Sequence, residues 1–237
     1  MIFRQNLVWI ALLVFAGVDL VMARPEQIDN SKWVEDFDFV VDSIRSNHPN
    51  PYFRISQDDF NDFVNEQREI VQHSDSPEKC MVAIMKVIAK LRDGHTQVYP
   101  RKELETDKWI PFRTYLFEDG AYIVSIAGEN KALLRAKLLE VEGVPFGEVE
   151  GRLNAIIPSD NDFGRRNFLP MYLSNAGCLK GLGIVQSTDV VKLKVEMEDG
   201  TIQEVEINTI SAPYSQEWFK RSFYGPGNLS YIDRKST

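Results

Sequence analysis

Cysteine and histidine are both scarce in this sequence. Its 237 residues include two cysteines, Cys80 and Cys178, and three histidines, His48, His73 and His95. Two cysteines so far apart do not form a metal signature, because structural zinc sites take four ligands at short spacings. Two buried free thiols are predicted, and a disulfide is the alternative if the chain reaches an oxidising compartment.

Complete catalytic and cofactor motifs are also missing. The sequence has no G-x-S-x-G elbow, no phosphate loop, no dinucleotide-binding fingerprint and no H-E-x-x-H zinc motif. We therefore predict no cofactor and no metal site. His48, which precedes Pro49 at the end of a predicted helix, and His73, in a polar linker, are both expected to lie at the surface.

Positive charge is scarcer than negative charge. The chain has 27 Lys and Arg against 35 Asp and Glu, which gives a net charge of −8. Non-specific nucleic-acid binding needs a basic surface, so no nucleic-acid partner is predicted. The composition, 43% hydrophobic and 26% charged, is that of a globular protein with one or two domains.

A long apolar run occurs only at the N-terminus. Arg4 precedes the uninterrupted apolar residues 7–15, and a small-x-small sequence ends at Ala23. This pattern is typical of a signal peptide, so residues 1–23 are predicted to be cleaved from a periplasmic or extracellular protein. An uncleaved anchor is the alternative, but Asp19 interrupts the run and a spanning helix needs about 20 apolar residues. No stable membrane span is predicted after cleavage.

Residues 24–94 are predicted to form a three-helix bundle. Each helix has an apolar face at helical spacing and a polar residue that can cap its start. The capping residues are Asn30 and Ser31 for the first helix, Ser56 for the second, and Ser76 followed by Pro77 for the third.

The third predicted helix is apolar nearly all round from Cys80 to Leu91. A helix of this kind is usually buried in the centre of a domain. Gly94 is predicted to end it, as a residue with positive φ at the C′ position. His95 would then leave the end of the central helix and enter a short strand over residues 96–99.

Residues 95–210 are predicted to form a mainly β module with one or two helices, which makes the fold class α+β. The strands are predicted from apolar residues at alternate positions and from tight turns. The helices are predicted from a longer spacing between apolar residues. The predicted strands cover residues 109–117, 121–126, 137–141, 190–197 and 202–207, and the predicted helices cover residues 146–157 and 162–182.

The tail, residues 211–237, is rich in aromatic residues, which is unusual for a disordered segment. Such residues need a surface to pack against. We therefore expect the tail to begin a catalytic domain whose remainder is truncated.

His95 is the candidate catalytic residue on local chemistry. It follows a glycine at the end of a buried helix, and a neutral imidazole held there could accept a proton near neutral pH. The alternative is a histidine that only satisfies the last helical carbonyls. Asp93 is mildly unfavourable at a helix C-terminus, and it could orient a neighbour or pair with Arg92.

The series Leu91-x-Asp93-Gly94-His95-Thr96, placed after three helices, resembles the tail-specific (C-terminal processing) serine peptidase family in its tricorn-like branch. The segments 120–124 and 139–149, with the turn Glu142-Gly143-Val144-Pro145, are similar to the PDZ-like module of that family, and the hairpin 190–207 continues the pattern. The resemblance covers about residues 30–210.

The resemblance implies that His95 is the general base toward a serine in a later crotonase-like domain. That domain, and hence the nucleophile, is expected to be absent from this chain, which alone should be inactive. Asp93, Gly94 and Thr96 match the motif without an assigned role. Gly94 stands where tricorn has a serine that helps orient the histidine, so that support would be missing.

Two functions therefore remain open. The first is the N-terminal portion of an exported serine peptidase that acts on a peptide or protein substrate, with a separate catalytic domain or subunit as partner. The second is a secreted, non-catalytic peptide-binding or scaffold protein derived from the same family. A third, a β-rich secreted domain that matches the motif by chance, agrees less well with the order of elements.

Overall fold

The computed structural model describes residues 30–98, 108–127 and 130–211. The predicted signal peptide and the aromatic tail from residue 212 onward lie outside this part of the chain. The α+β class is confirmed. The helices are α1 (Asn30–Asn47), α2 (Gln57–Gln72), α3 (Pro77–Lys90), α4 (Phe146–Asn154), α5 (Asp162–Ser174) and α6 (Ala176–Gly181), with a 3-10 turn at Asn130–Leu133. The strands are β1 (Lys108–Trp109), β2 (Phe112–Phe117), β3 (Gly120–Ile126), β4 (Lys137–Val141), β5 (Val144–Pro145), β6 (Val190–Glu196), β7 (Ile202–Asn208) and β8 (Ile210–Ser211).

The first three helices pack together around a shared apolar core that includes Phe37, Val41, Phe60 and Val64. Two of the predicted caps are confirmed, because the Ser56 and Ser76 hydroxyls accept hydrogen bonds from the third backbone N–H beyond them. The expected Asn30 cap is wrong. Asn30 lies inside α1, and its side-chain amide donates to the Gln72 and Ser74 carbonyls, so it ties α1 to the turn between α2 and α3.

The main sheet is antiparallel, with the order β2-β3-β4-β6-β7 and with β5 paired to β4. A second, small sheet pairs β1 with β8. The helices α4, α5 and α6 complete a core against the main sheet, built from residues such as Phe112, Ile123, Leu153 and Leu193. The predicted bounds of β4 agree with the structure. The hairpin is confirmed as β6 and β7, and Ile202 at the start of β7 is 60% exposed.

The helix α3 joins the two cores. Met81 and Met85 face the core of the sheet, whereas Ala83 and Val87 face the core shared with α1 and α2. This explains why its sequence is apolar on nearly every side. The helix therefore holds its C-terminal end, and the loop that follows, in a fixed position between the two parts.

Both cysteines are buried and free, in agreement with the predicted pair of thiols. Cys80 packs in the helical core and Cys178 in the core of the sheet. Burial raises the pKa of both thiols, to about 12 for Cys178, so neither is an activated nucleophile. Within the described residues, no helix combines the length and apolar character that crossing a membrane would require.

We expect Gly181→Ala to destabilise the fold. A Cβ on Gly181 would lie 2.3 Å from the Glu78 carbonyl oxygen and 2.6 Å from Val82 Cγ2, where α6 crosses α3. Overpacking of this kind costs about 1–3 kcal/mol of the free energy of unfolding, which a urea titration would measure.

Gly151→Ala is the matched control, because Gly151 is also helical but a Cβ there would meet nothing within 4 Å. The free energy of unfolding of this variant should rise by about 0.5–1 kcal/mol, because alanine has a better helix propensity than glycine. Equal unfolding midpoints for Gly181→Ala and the parent chain would show that the close crossing of α3 and α6 is absent.

Candidate active site

The loop after α3 departs from its predicted conformation. The helix ends at Lys90, and the left-handed residue that follows is Arg92, with φ of 54°, rather than Gly94. The expected strand over residues 96–99 is also wrong, because Thr96–Val98 have no strand partner and residue 99 lies outside the described part. Instead, the Thr96 N–H donates to the Asp93 carbonyl at 3.3 Å, and the loop closes on itself as a turn.

The Asp93 carboxylate is the centre of this loop. Its Oδ1 accepts the backbone N–H of His95 at 3.0 Å, and its Oδ2 accepts the Thr96 hydroxyl at 2.6 Å and bonds His48 Nε2 at 3.1 Å. The Thr96 hydroxyl contributes most, and the His95 N–H and His48 add to it, so together they lower the pKa of Asp93 to about 2. Asp93 is therefore an anion throughout the neutral range.

His48 reaches this carboxylate from the end of α1. The backbone N–H of Asn50 donates to His48 Nδ1 at 3.2 Å, so that nitrogen is the acceptor of the ring. His48 Nε2–H is then the donor to Asp93 Oδ2. The side chain is 15% exposed, and the expectation that His48 lies free at the surface is wrong. His73 does lie at the surface, with its side chain 72% exposed.

The His95 side chain points into solvent. It is 94% exposed, and its Nδ1 lies 3.5 Å from Asp93 Oδ1. The backbone of His95 is fixed by its hydrogen bond to Asp93, whereas the imidazole itself is open to a ligand. The predicted site residues Asp93, Gly94, His95 and Thr96 thus form one compact turn.

Asp160 is a site residue that the sequence did not reveal. It lies between α4 and α5, and its Oδ2 would be 3.0 Å from a Cβ placed on Gly94. One ligand atom each of Asp93, His95 and Asp160 lie within 4.8 Å of one another. Gly94 therefore lies against the end of the Asp160 side chain, and its φ is not positive.

An apolar groove of about 350 Å³ borders the other side of the same turn. His48 and Thr96 form part of its wall, next to the side chains of α1 and α3. The apolar residues that line it are Phe39, Val40, Ile44, Ile88 and Val98.

We compared the chain with known proteins. No family model matches it, and no curated protein matches it. Solved structures do: mature CPAF, a chlamydial serine protease, in complex with lactacystin has a TM-score of 0.56 at 18% identity over 78% of this chain. A serine-to-alanine mutant of CPAF has a TM-score of 0.55 at 16% identity over 83% of this chain. This chain spans 35% and 39% of those two CPAF chains, so the similarity is one of fold over part of CPAF.

We expect Thr96→Val to raise the pKa of Asp93 from about 2 toward 3.8, because the variant removes the strongest donor to its carboxylate. Carboxyl ¹³C NMR would follow the titration. The folded pKa lies below the unfolded value of about 3.9, so Asp93 contributes stability above pH ~4 that is lost as the pH falls through about 2. The variant should therefore be less stable than the parent chain near neutral pH, with a smaller difference at pH ~2.

Thr96→Ser keeps the hydroxyl and is the control. A titration of Asp93 that is the same in Thr96→Val as in the parent chain would contradict the assigned role of Thr96.

We also expect His48 to be the Nε2–H tautomer when its ring is neutral. The chain has three histidines, so long-range ¹H–¹⁵N correlation can resolve every imidazole. Asp93→Asn should shift the ring nitrogens of His48 and leave those of the distant, exposed His73 in place. An Nδ1–H tautomer for His48 would contradict the hydrogen bond from Asn50.

Proposed function

We propose that this chain is the N-terminal portion of an exported serine-type peptidase of the tail-specific family, in which His95 is the general base. The observation that carries the proposal is a nearly fully exposed imidazole on a fixed backbone, beside an ionised carboxylate, in a chain whose fold is similar to part of a serine protease. The nucleophilic serine would lie outside this chain, in a crotonase-like domain or a partner subunit.

The local chemistry of the turn suits a base. In acyl transfer, a serine oxygen attacks the carbonyl carbon of the substrate while the imidazole takes its proton, and the imidazolium then protonates the leaving amine. The pair between His95 Nδ1 and Asp93 Oδ1, 3.5 Å apart, becomes an ion pair only when His95 carries that proton. In the proposed mechanism, Asp93 would lie beside the positive charge that develops on the ring during the reaction.

Asp93 would be a positioning residue in this scheme. Its Oδ2 is occupied by Thr96 and His48, so Oδ1 is the oxygen that faces His95. This arrangement would give Asp93 the orienting role that is one of the two the sequence allowed, and would give a role to Thr96, for which the sequence suggested none. Tricorn has a serine before its histidine. In this chain the carboxylate of Asp93, which precedes Gly94, would orient the ring instead.

The serine nearest to Asp160 does not supply the nucleophile. Ser159 is 5% exposed, and its hydroxyl donates to the Asn161 carbonyl at 2.6 Å. Among the described residues, His95 makes no hydrogen bond to any serine. This supports a nucleophile that comes from elsewhere.

A second candidate function is a secreted peptide-binding or scaffold protein, in which residues 95–210 act as a PDZ-like module. The observation that favours peptide binding is the apolar groove beside Thr96, which is lined mainly by α1 and α3 and borders the start of that module, together with Phe39, which is 72% exposed. Within the described residues, β7 is also an edge strand that pairs on one side with β6, so a peptide strand could add on its other side. A protein of this kind would bind peptides and hydrolyse none.

A fluorophosphonate probe separates the two functions. The 237-residue chain alone should not be labelled, because the proposal places the nucleophilic serine outside it. The product of the longer reading frame, including the codons that follow residue 237, should be labelled, and His95→Ala should slow labelling by about 10²–10⁴-fold, the usual contribution of a general base. His73→Ala is the matched control and should label at the parent rate.

Labelling of the 237-residue chain alone would overturn the claim that the nucleophile lies outside it. Labelling of the longer product that His95→Ala leaves unchanged would overturn the role of His95. If no serine-bearing frame follows residue 237, the peptide-binding function is favoured instead.

A further inference from the structure

Two carboxylates and an imidazole converge at the turn after α3. Asp93, His95 and Asp160 each offer one ligand atom, and these three atoms lie within 4.8 Å of one another. The donor set is mixed, with one nitrogen and two oxygens. Imidazole with carboxylate suits zinc and its neighbours in the transition series, whereas magnesium and calcium prefer ligand sets made of oxygen alone.

Asp160 carries a charge that no described residue neutralises. Other exposed aspartates nearby are paired, such as Asp162 with Arg165 at 2.6 Å. Asp160, by contrast, has no hydrogen-bond or ion-pair partner within residues 30–98, 108–127 and 130–211, and its neighbour in space is the second carboxylate, Asp93. A cation between these two carboxylates would neutralise the charge of both.

Gly94 provides the space in which these groups meet. A Cβ at this position would lie 3.0 Å from Asp160 Oδ2, closer than nearly all real Cβ contacts. Gly94 does not have the positive φ that would explain a glycine by its backbone. The absence of a side chain therefore serves the approach of Asp160 to the turn, which is independent of the hydrogen bonds that shape the turn itself.

The geometry needs only a small closure to bind zinc. Zinc–ligand distances of about 2.0–2.2 Å place the ligand atoms of a tetrahedral site about 3.4 Å apart. The His95 and Asp160 side chains are exposed and can rotate inward, while Asp93 is held by Thr96 and His48 through Oδ2 and by the His95 N–H through Oδ1. Three protein ligands would leave a fourth position for water, as in open zinc sites.

We infer that Asp93, His95 and Asp160 form a zinc-binding site, and that zinc bound there inhibits the peptidase by occupying the imidazole. Binding itself requires only the three side chains. The inhibitory effect rests on the proposed function, because a neutral imidazole has a single nitrogen lone pair, and zinc bound to His95 would leave none to accept the serine hydroxyl proton. Release of the metal would restore the free base.

The binding experiment uses the 237-residue chain and zinc chloride alone. Calorimetry should show one zinc per chain, and ¹H–¹⁵N correlation should show the ring nitrogens of His95 shifting while those of His73 stay in place. Asp160→Asn should weaken binding by at least about 10-fold, since even outer-shell changes cost about 10–100-fold. Magnesium chloride at the same concentration should produce no such shift.

Two further variants test whether binding depends on this cluster, one with a change outside it and one with a change within it. His73→Gln removes a surface histidine outside the cluster and should bind zinc as the parent chain does. Gly94→Ala should weaken binding, because its Cβ displaces Asp160, and a thermal melt of each variant checks that it remains folded. Equal affinity in Asp160→Asn and the parent chain, equal shifts of His73 and His95, or no saturation by about 1 mM zinc would each overturn the site.

The two proposals can fail separately. Zinc binding is measured on this chain without any peptidase activity, so its absence overturns the metal site and leaves the peptidase untouched. If zinc binds but does not slow fluorophosphonate labelling of the longer product, the inhibitory effect is overturned while the site stands. If the longer product is not labelled at all, the peptidase proposal fails, and with it the inhibition.

Discussion

The Asp93 carboxylate holds the candidate site together. It receives the Thr96 hydroxyl and the His95 N–H from its own loop and the His48 ring from the end of α1. Arg92 adopts a left-handed conformation that costs a non-glycine residue about 1–3 kcal/mol, and such strain persists only where the surroundings fix the chain. The hydrogen bonds to Asp93 supply that constraint, and they bind two helices that are far apart in sequence.

The position of this loop depends in turn on α3. One side of the helix packs on α1 and α2, and the other packs on the core of the sheet and on α6, where Gly181 allows the backbones to approach. Because α3 is fixed on both sides, its C-terminal end lies at a set distance from the loop between α4 and α5. Asp160 therefore lies close to the turn that carries His95, although the strands β1 to β5 lie between the two residues in the sequence.

Local signals in the sequence predicted the parts of the fold that local physics decides. Ser56 and Ser76 cap helices because a side-chain oxygen can satisfy a free N–H only a few residues away. The bounds of β4 follow from its apolar pattern and the tight turn after it. The α+β class follows from the spacing of apolar residues, which changes near residue 95 from that of helices to that of strands. In each case the competing conformations differ by interactions within a few residues.

The candidate site required information that no short window contains. His48 and Asp93 are 45 residues apart, and the hydrogen bond between them depends on how α1 and α3 pack. The same holds for Asp160. The sequence predicts a positive φ for Gly94, because this is the commonest local reason for a glycine. In the structure its φ is not positive, and the side chain of Asp160, from a distant loop, lies close to it.

The motif resembles that of the tail-specific family, and the path of the backbone is similar to part of CPAF at 18% identity. In this chain, two carboxylates lie near an imidazole that is open to solvent. In the two proposals the ring would act through one nitrogen lone pair, either as a base toward a serine proton or as a ligand toward zinc. The zinc concentration would therefore determine which of the two roles the ring performs.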